Sequence, residues 1–256
     1  MRFGELFVLL MLSTGAIAKP PKAFVWRGKP GTDAAFEGLS EAAADLLRTS
    51  SVKYDVEIVG PYEKRDINRE TLNVREVSLI LFPGGGDLSP TWKQTKNYKR
   101  LIQEYVHSGG HYVGICLGAY LAGHDPGFEL LPKGSDTDQY ITSSKSSLKT
   151  EDDAVVQVDY FGKESMGEKR WLYFQDGAII KMSPKALQEA TVLARYSSNQ
   201  FPAAVVFPYG HGRVGLIGPH PEANRSWYEA EGLTSPEEVN FEIGHRLVEL
   251  VHHNKR

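Results

Sequence analysis

The stretch His111-Tyr112-Val113-Gly114-Ile115-Cys116-Leu117-Gly118-Ala119-Tyr120-Leu121-Ala122 decides how this chain reads. His111 to Ile115 has the dense apolar character of a strand, the residues from Ala119 on open a helix, and Cys116 falls at the junction. Strand, sharp turn, helix is the context of a nucleophile elbow, which lifts one side chain out of the sheet. The turn brings the residues two before and two after it close together, so both must be small. Both are glycine, Gly114 and Gly118. At a helix N-terminus the peptide dipole and free N–H groups favour thiolate, the nucleophilic form, over thiol. The competing reading is a buried cysteine acting as a small apolar filler.

Working outward, Gly109-Gly110 stops a helix predicted over Pro90 to His107, whose inward face carries Tyr98, Leu101, Ile102, Tyr105 and Val106. Before it, Val77 to Phe82 is an apolar run of the kind found in the middle of a sheet, and it ends abruptly at Pro83-Gly84-Gly85-Gly86. Tyr54 to Val59 alternates as a strand does, Asp33 to Arg48 has helical spacing, and Ala23 to Trp26 is a short apolar strand. Downstream, Lys133 to Lys149 is polar and aperiodic, a surface loop or insertion. Further strands are predicted at Ala154 to Tyr160, Thr191 to Tyr196, Ala203 to Phe207 and Val214 to Ile217. Ser235-Pro236-Glu237-Glu238 is expected to cap and open a last helix through Phe241, Ile243, Leu247 and Val251. Strands alternating with helices predict an α/β protein with a mostly parallel sheet covered on both faces.

With 256 residues, 24% charged and 41% hydrophobic, the chain has globular composition, and one large domain is expected. Its 29 basic residues nearly balance its 32 acidic ones, and no long run of like charge occurs. That argues against nucleic acid and lipid partners and for a small-molecule or peptide-like substrate. At the N-terminus, Arg2, the apolar run Leu6 to Leu12 and Ala16-Ile17-Ala18 form the charge, core and small-x-small pattern of a secretory signal. Residues 1–18 are expected to be removed by cleavage after Ala18, leaving a single domain over residues 19–256, secreted and free of the membrane. The apolar run is far shorter than the roughly 20 residues a bilayer core requires. Cys116 is the one cysteine, so no intramolecular disulfide can form and the lone thiol calls for an explanation.

A reactive thiol needs a base. Of eight histidines, His220 is best placed, in Gly218-Pro219-His220-Pro221-Glu222 directly after a predicted strand. Pro221 biases His220 toward extended backbone. Residues two apart on an extended segment share a side, so Glu222 can reach the imidazole, fix its tautomer and stabilise its cation. A Cys116–His220–Glu222 relay follows. Acyl chemistry also needs donors for an oxyanion. The Gly84-Gly85-Gly86 turn can point backbone N–H groups into the site, and Gly85 pairs naturally with Leu117, the residue after the nucleophile. No Lys-Ser or Lys-Thr follows the glycines and no Gly-x-Gly-x-x-Gly spacing occurs, so a nucleotide cofactor is not expected. His107 and His111 are separated by the helix-breaking Gly109-Gly110 and are not read as a metal pair.

The order of these pieces, together with Val25-Trp26-Arg27-Gly28, Gly31-Thr32, Leu81 to Asp87 and Tyr105 through Tyr120, resembles the biotin–protein ligase N-terminal family of the class I glutamine amidotransferase-like superfamily. The resemblance runs from about Phe24 to the C-terminal helix. It implies a flavodoxin-like doubly wound sheet, Cys116 as nucleophile, His220 as base and acid, Glu222 as its orienter, and the Gly84 to Gly86 turn with Leu117 as oxyanion site. Glutamine amidotransferases usually carry Gln four positions after the nucleophile. Tyr120 stands there in this chain, which implies a ligand other than free glutamine. Trp171 to Gly177 lies where related domains place pocket residues, with Tyr173 the candidate contact, although aromatic runs more often serve the core.

The expected activity is hydrolysis of an amide or γ-glutamyl-type bond through a thioester, with no cofactor and no metal. The alternative is a non-catalytic protein that keeps the fold and pocket to hold a ligand or partner. Ligase activity itself is not expected of these residues. Asn224-Arg225-Ser226 is an N-glycosylation sequon two residues past Glu222.

Overall fold

A computed structural model describes residues 19–29, 38–163 and 166–253. The predicted signal with Ala18, and the start of the first predicted helix, lie outside the described residues. The centre of the fold is a nine-stranded sheet in the order β2-β1-β3-β4-β11-β10-β9-β6-β7. Its strands are β1 (Lys22–Trp26), β2 (Asp55–Val59), β3 (Val77–Phe82), β4 (His111–Ile115), β6 (Ala154–Tyr160), β7 (Glu168–Phe174), β9 (Thr191–Tyr196), β10 (Pro202–Tyr209) and β11 (Gly212–Ile217). β5 (Asp136–Gln139) and β8 (Ala178–Lys181) form a separate antiparallel pair.

The block β2-β1-β3-β4-β11 is parallel throughout. Beyond it every pairing is antiparallel. Direction therefore alternates, and only β10 and β6 run against the rest, so seven of the nine strands point the same way. Their carboxyl ends, including those of β3, β4, β11 and β7, share one edge, where open α/β sheets bind ligands.

Alternation within the central strands builds two cores. Leu79 and Leu81 of β3, with Val113 and Ile115 of β4, face α1 (Leu39–Thr49) and α7 (Glu242–His252). Ile80 and Phe82, with Tyr112, face the other side, against α3 (Lys99–His107) and α4 (Leu117–Leu121). All seven of those β3 and β4 residues are fully buried, the aliphatic ones and Phe82 each worth about 1.5–3 kcal/mol relative to exposure. A strand apolar on both faces has only the middle of a layered sheet to go to.

The predicted helix over 90–107 is divided. α2 (Leu88–Thr95) is followed by a 3₁₀ turn over Lys96–Tyr98 and then α3. Thr95 Oγ1 donates back to the Thr91 carbonyl at 3.0 Å, a bond that bends helices, and the turn swings the Tyr98 hydroxyl onto Asp66 at 2.7 Å. Asp87 sits at the N-cap of α2 without a side-chain capping bond. The last helix starts at Glu242 rather than at Ser235 to Glu238. Glu237 is drawn away to Arg170 and to the Trp171 N–H at 2.9 Å, so tertiary partners override the local capping signal. The 133–149 loop contains β5, and its Tyr140 is fully buried and stacked on Tyr196 at 4.0 Å between ring centroids. Strands β7 and β8, and helices α5 (Pro184–Glu189) and α6 (Arg225–Ala230), add to the predicted elements. Among the described residues no helix is long and apolar enough to cross a membrane.

Four strand spacings would set β7 about 19 Å from β11 in a flat sheet. Instead an isolated antiparallel bridge joins Tyr173 to His220. The antiparallel arm curls back over the carboxyl edge, and its end reaches the residues that follow β11.

Candidate active site

Cys116 takes φ 49 and ψ −106, a left-handed backbone that a side chain rarely adopts. Its N–H donates to the Ile217 carbonyl at 2.9 Å, and its carbonyl accepts from Ala119 and Tyr120 to start α4. Both elbow glycines are sterically required. A Cβ on Gly114 would lie 2.3 Å from the Gly118 carbonyl oxygen, and one on Gly118 would lie 1.9 Å from the Phe82 oxygen. α4 spans five residues, so the dipole expected to favour thiolate is a short one.

Cys116 neighbours the imidazole of His220 closely enough to help raise its pKa. The Cys116 thiol donates to the Gln175 carbonyl at 3.4 Å. His220 is held on three sides. Its N–H donates to the Tyr173 carbonyl at 2.9 Å, its Nδ1 meets Glu222 Oε1 at 2.9 Å, and its ring packs against Tyr173 and Trp227, with centroids 6.1 and 5.5 Å away. With Nδ1 committed to the carboxylate, Nε2 is the nitrogen left to serve the sulfur. His220 and Glu222 are 3% and 1% exposed. Burial alone pushes the imidazolium down. The opposing charges of Glu222 and Cys116, and hydrogen bonds to both, outweigh it and hold His220 well above its ordinary value. Glu222 Oε2 is buried without a partner, so the carboxylate's whole set of bonds goes to the imidazole.

Gly84 has a role that the sequence did not reveal. A Cβ there would sit 2.4 Å from His220 Cε1, 3.2 Å from Nε2 and 3.3 Å from Cys116 Cβ. The glycine lets backbone lie flat against the imidazole and the nucleophile at once. Gly85 and Gly86 adopt φ 102 and φ 78, completing the turn. Leu117 is the first residue of α4, so its N–H has no helical carbonyl behind it. The Tyr120 hydroxyl donates to the Asp176 carbonyl at 3.0 Å. Burial first, then the nearby Asp176 and Cys116, raise its pKa.

Tyr173 is 5% exposed, and its hydroxyl donates to Asp153. It therefore stands as a wall against His220 rather than as an open contact surface. Asn224 is exposed at the N-cap of α6, where its Oδ1 accepts from the Ser226 N–H at 2.9 Å. The structure also brings in Gln175 and Asp176, which lie within the Trp171 to Gly177 stretch expected near the pocket though Tyr173 was the named candidate there, and Trp227, which no sequence signal selected. Asp176-Gly177 after an aromatic run is a turn signal that singles out this end of the stretch. Nothing local marks Trp227.

Known proteins resemble this chain in sequence and in fold. The family model described as "Biotin-protein ligase, N terminal" matches residues 23–249. A biotin–protein ligase of Schizosaccharomyces pombe is 26% identical over 197 residues, covering 68% of this chain and 30% of that protein. The chain thus spans less than a third of that curated relative. A ThuA-like protein of Parabacteroides merdae aligns over 93% of this chain and 91% of its own, with 14% identity and a TM-score of 0.49. A glutamine amidotransferase crystal structure aligns over 82% of this chain and 99% of its own, with 15% identity and a TM-score of 0.51, a likeness of fold. From the match over nearly the whole described chain, and from the amidotransferase-like sheet beneath it, the protein belongs to the biotin–protein ligase N-terminal family.

Proposed function

We propose that this chain is a secreted cysteine hydrolase that cleaves amide or γ-glutamyl-type bonds. The observation that carries the reading is the convergence at Gly84, where an added Cβ would strike the imidazole of His220 at 2.4 Å and press against the Cβ of Cys116 at 3.3 Å. A filler cysteine needs no such neighbour. In the proposed reaction His220 takes the Cys116 proton, and the sulfur attacks the carbonyl carbon. The oxyanion is met by the N–H groups of Leu117 and Gly85. The His220 imidazolium, steadied by Glu222, gives its proton to the departing amine as the C–N bond breaks, leaving a thioester. Water, deprotonated by His220, attacks the thioester; the C–S bond breaks, the carboxylic acid leaves, and the His220 imidazolium returns its proton to the Cys116 sulfur. Tyr120, anchored on the Asp176 carbonyl, would face the acyl group where amidotransferases carry Gln.

The test is turnover of a panel of γ-glutamyl and simple amide compounds by wild type, Cys116→Ser and His220→Ala. It is paired with iodoacetamide alkylation of Cys116 near neutral pH, read by mass spectrometry. Turnover that needs both residues supports the reading. A thiol that is inert in the wild type, or equally reactive without His220, refutes it. Persistence of the protein's biological effect in Cys116→Ala would move the assignment to a non-catalytic ligand-binding role.

A further inference from the structure

Both members of the Cys116–His220 pair rest on main-chain carbonyls of the same short stretch. The Tyr173 carbonyl accepts the His220 N–H at 2.9 Å, and the Gln175 carbonyl accepts the Cys116 thiol at 3.4 Å. Tyr173 lies near the end of β7 and Gln175 just past its end at Phe174, and their side chains meet the same residue. The last β6–β7 pair is Ala154 with Phe174, and Asp153 and Gln175 are the next residue on each chain. There one carboxylate ties both residues. Asp153 Oδ1 accepts the Tyr173 hydroxyl and Oδ2 accepts Gln175 Nε2 at 3.3 Å.

β7 is the edge strand of the sheet, and its end curls back over the parallel block, where Tyr173 bridges to His220. The β6 ladder holds its length from Glu168 to Phe174, and the pairing stops just before Gln175, whose carbonyl meets the Cys116 thiol. Gln175 lies one residue past the last ladder pair, at the end of the strand, where ladders fray most easily.

We propose that Asp153 is a positioning residue: by clamping the Tyr173 and Gln175 side chains together it sets the register of the two carbonyls that hold the imidazole and the sulfur in line. This rests on the reading of Cys116 and His220 as a reacting pair. Asp153 touches neither substrate nor reacting atoms. It acts through Tyr173, whose ring and carbonyl hold His220, and through Gln175.

The experiment is the pH profile of Cys116 alkylation by iodoacetamide from about pH 5 to 9, on the full chain, for wild type, Asp153→Ala, Asp153→Asn and His220→Ala. The exposed Asp152→Ala is the charge control. In Asp153→Ala the rate falls about tenfold on the acid side of the profile, the scale for a shift of a fraction of an ångström, and converges with wild type near pH 9. Asp153→Asn keeps an acceptor for the Tyr173 hydroxyl and recovers most of the loss, while Asp152→Ala follows wild type. Should Asp153→Ala fail to fold, Tyr173→Phe, which removes only the hydroxyl, shows the same alkaline displacement. An Asp153→Ala or Tyr173→Phe profile superimposed on wild type, with only the thermal midpoint lowered, overturns the assignment and leaves Asp153 as a plain strand staple. Coincident wild-type and His220→Ala profiles overturn the reacting pair itself, and this assignment with it.

Discussion

Gly84→Ala tests the convergence at the site most directly. The added methyl would stand 2.4 Å from His220 Cε1, whereas carbon atoms pack at about 3.5–4.0 Å, so something must move by about 1 Å. The imidazole has little room to yield, because Glu222 holds its Nδ1, Tyr173 its backbone N–H, and Trp227 its far side. Retreat of the Pro83 to Gly86 turn would instead carry Gly85 away from Leu117. Either way the reacting groups separate by about 1 Å, which costs about 100-fold in rate, or about 2.7 kcal/mol of barrier. The assay is Cys116-dependent turnover of the best compound from the panel, with iodoacetamide alkylation at neutral pH alongside. Thermal unfolding is the control, since overpacking costs about 1–3 kcal/mol of stability. A Gly84→Ala protein that turns over and alkylates within about twofold of wild type would refute the argument, because backbone and imidazole could not then be in contact.

Glu222→Gln removes the main charge that raises His220. A raised folded value contributes stability that is full below the ordinary 6.5 and fades as pH rises through the folded value. Wild type should therefore exceed Glu222→Gln most at about pH 6, by about 3–5 kcal/mol for a broken buried pair, with the gap narrowing toward alkaline pH in denaturant titrations; a constant gap would count against the linkage. Gly118→Ala sets a methyl 1.9 Å from the Phe82 carbonyl oxygen, a backbone atom that cannot swing aside. A loss of about 3 kcal/mol or more is expected in urea unfolding, and a near-neutral result would show that the elbow is looser than drawn. Expressed through a secretory pathway, the protein should begin at Lys19 and lose mass on treatment with a peptide N-glycosidase, and Asn224→Gln should abolish that loss. An intact N-terminus by mass spectrometry would refute the secretion proposal.

The periodicity of β3 and β4, the glycine pair around Cys116 and the two-residue step from His220 to Glu222 were legible in the sequence because each is local. A strand buried on both faces, an elbow without room for a Cβ, and side chains two apart on extended chain follow from bonds and radii within a few residues. Tertiary structure alone decided the rest. The helix predicted to open at Ser235 opens at Glu242 because Arg170, far away in the chain, claims Glu237. Gly84 looked like a donor turn, yet its want of a side chain answers to an imidazole 136 residues downstream. Tyr173, Gln175 and Asp153 gain their place only when the antiparallel arm curls until β7 meets the end of β11. Sequence specifies what each segment buries and where it must turn; which distant segments then share an edge depends on how the whole sheet twists and closes, a sum over many contacts that no single stretch encodes.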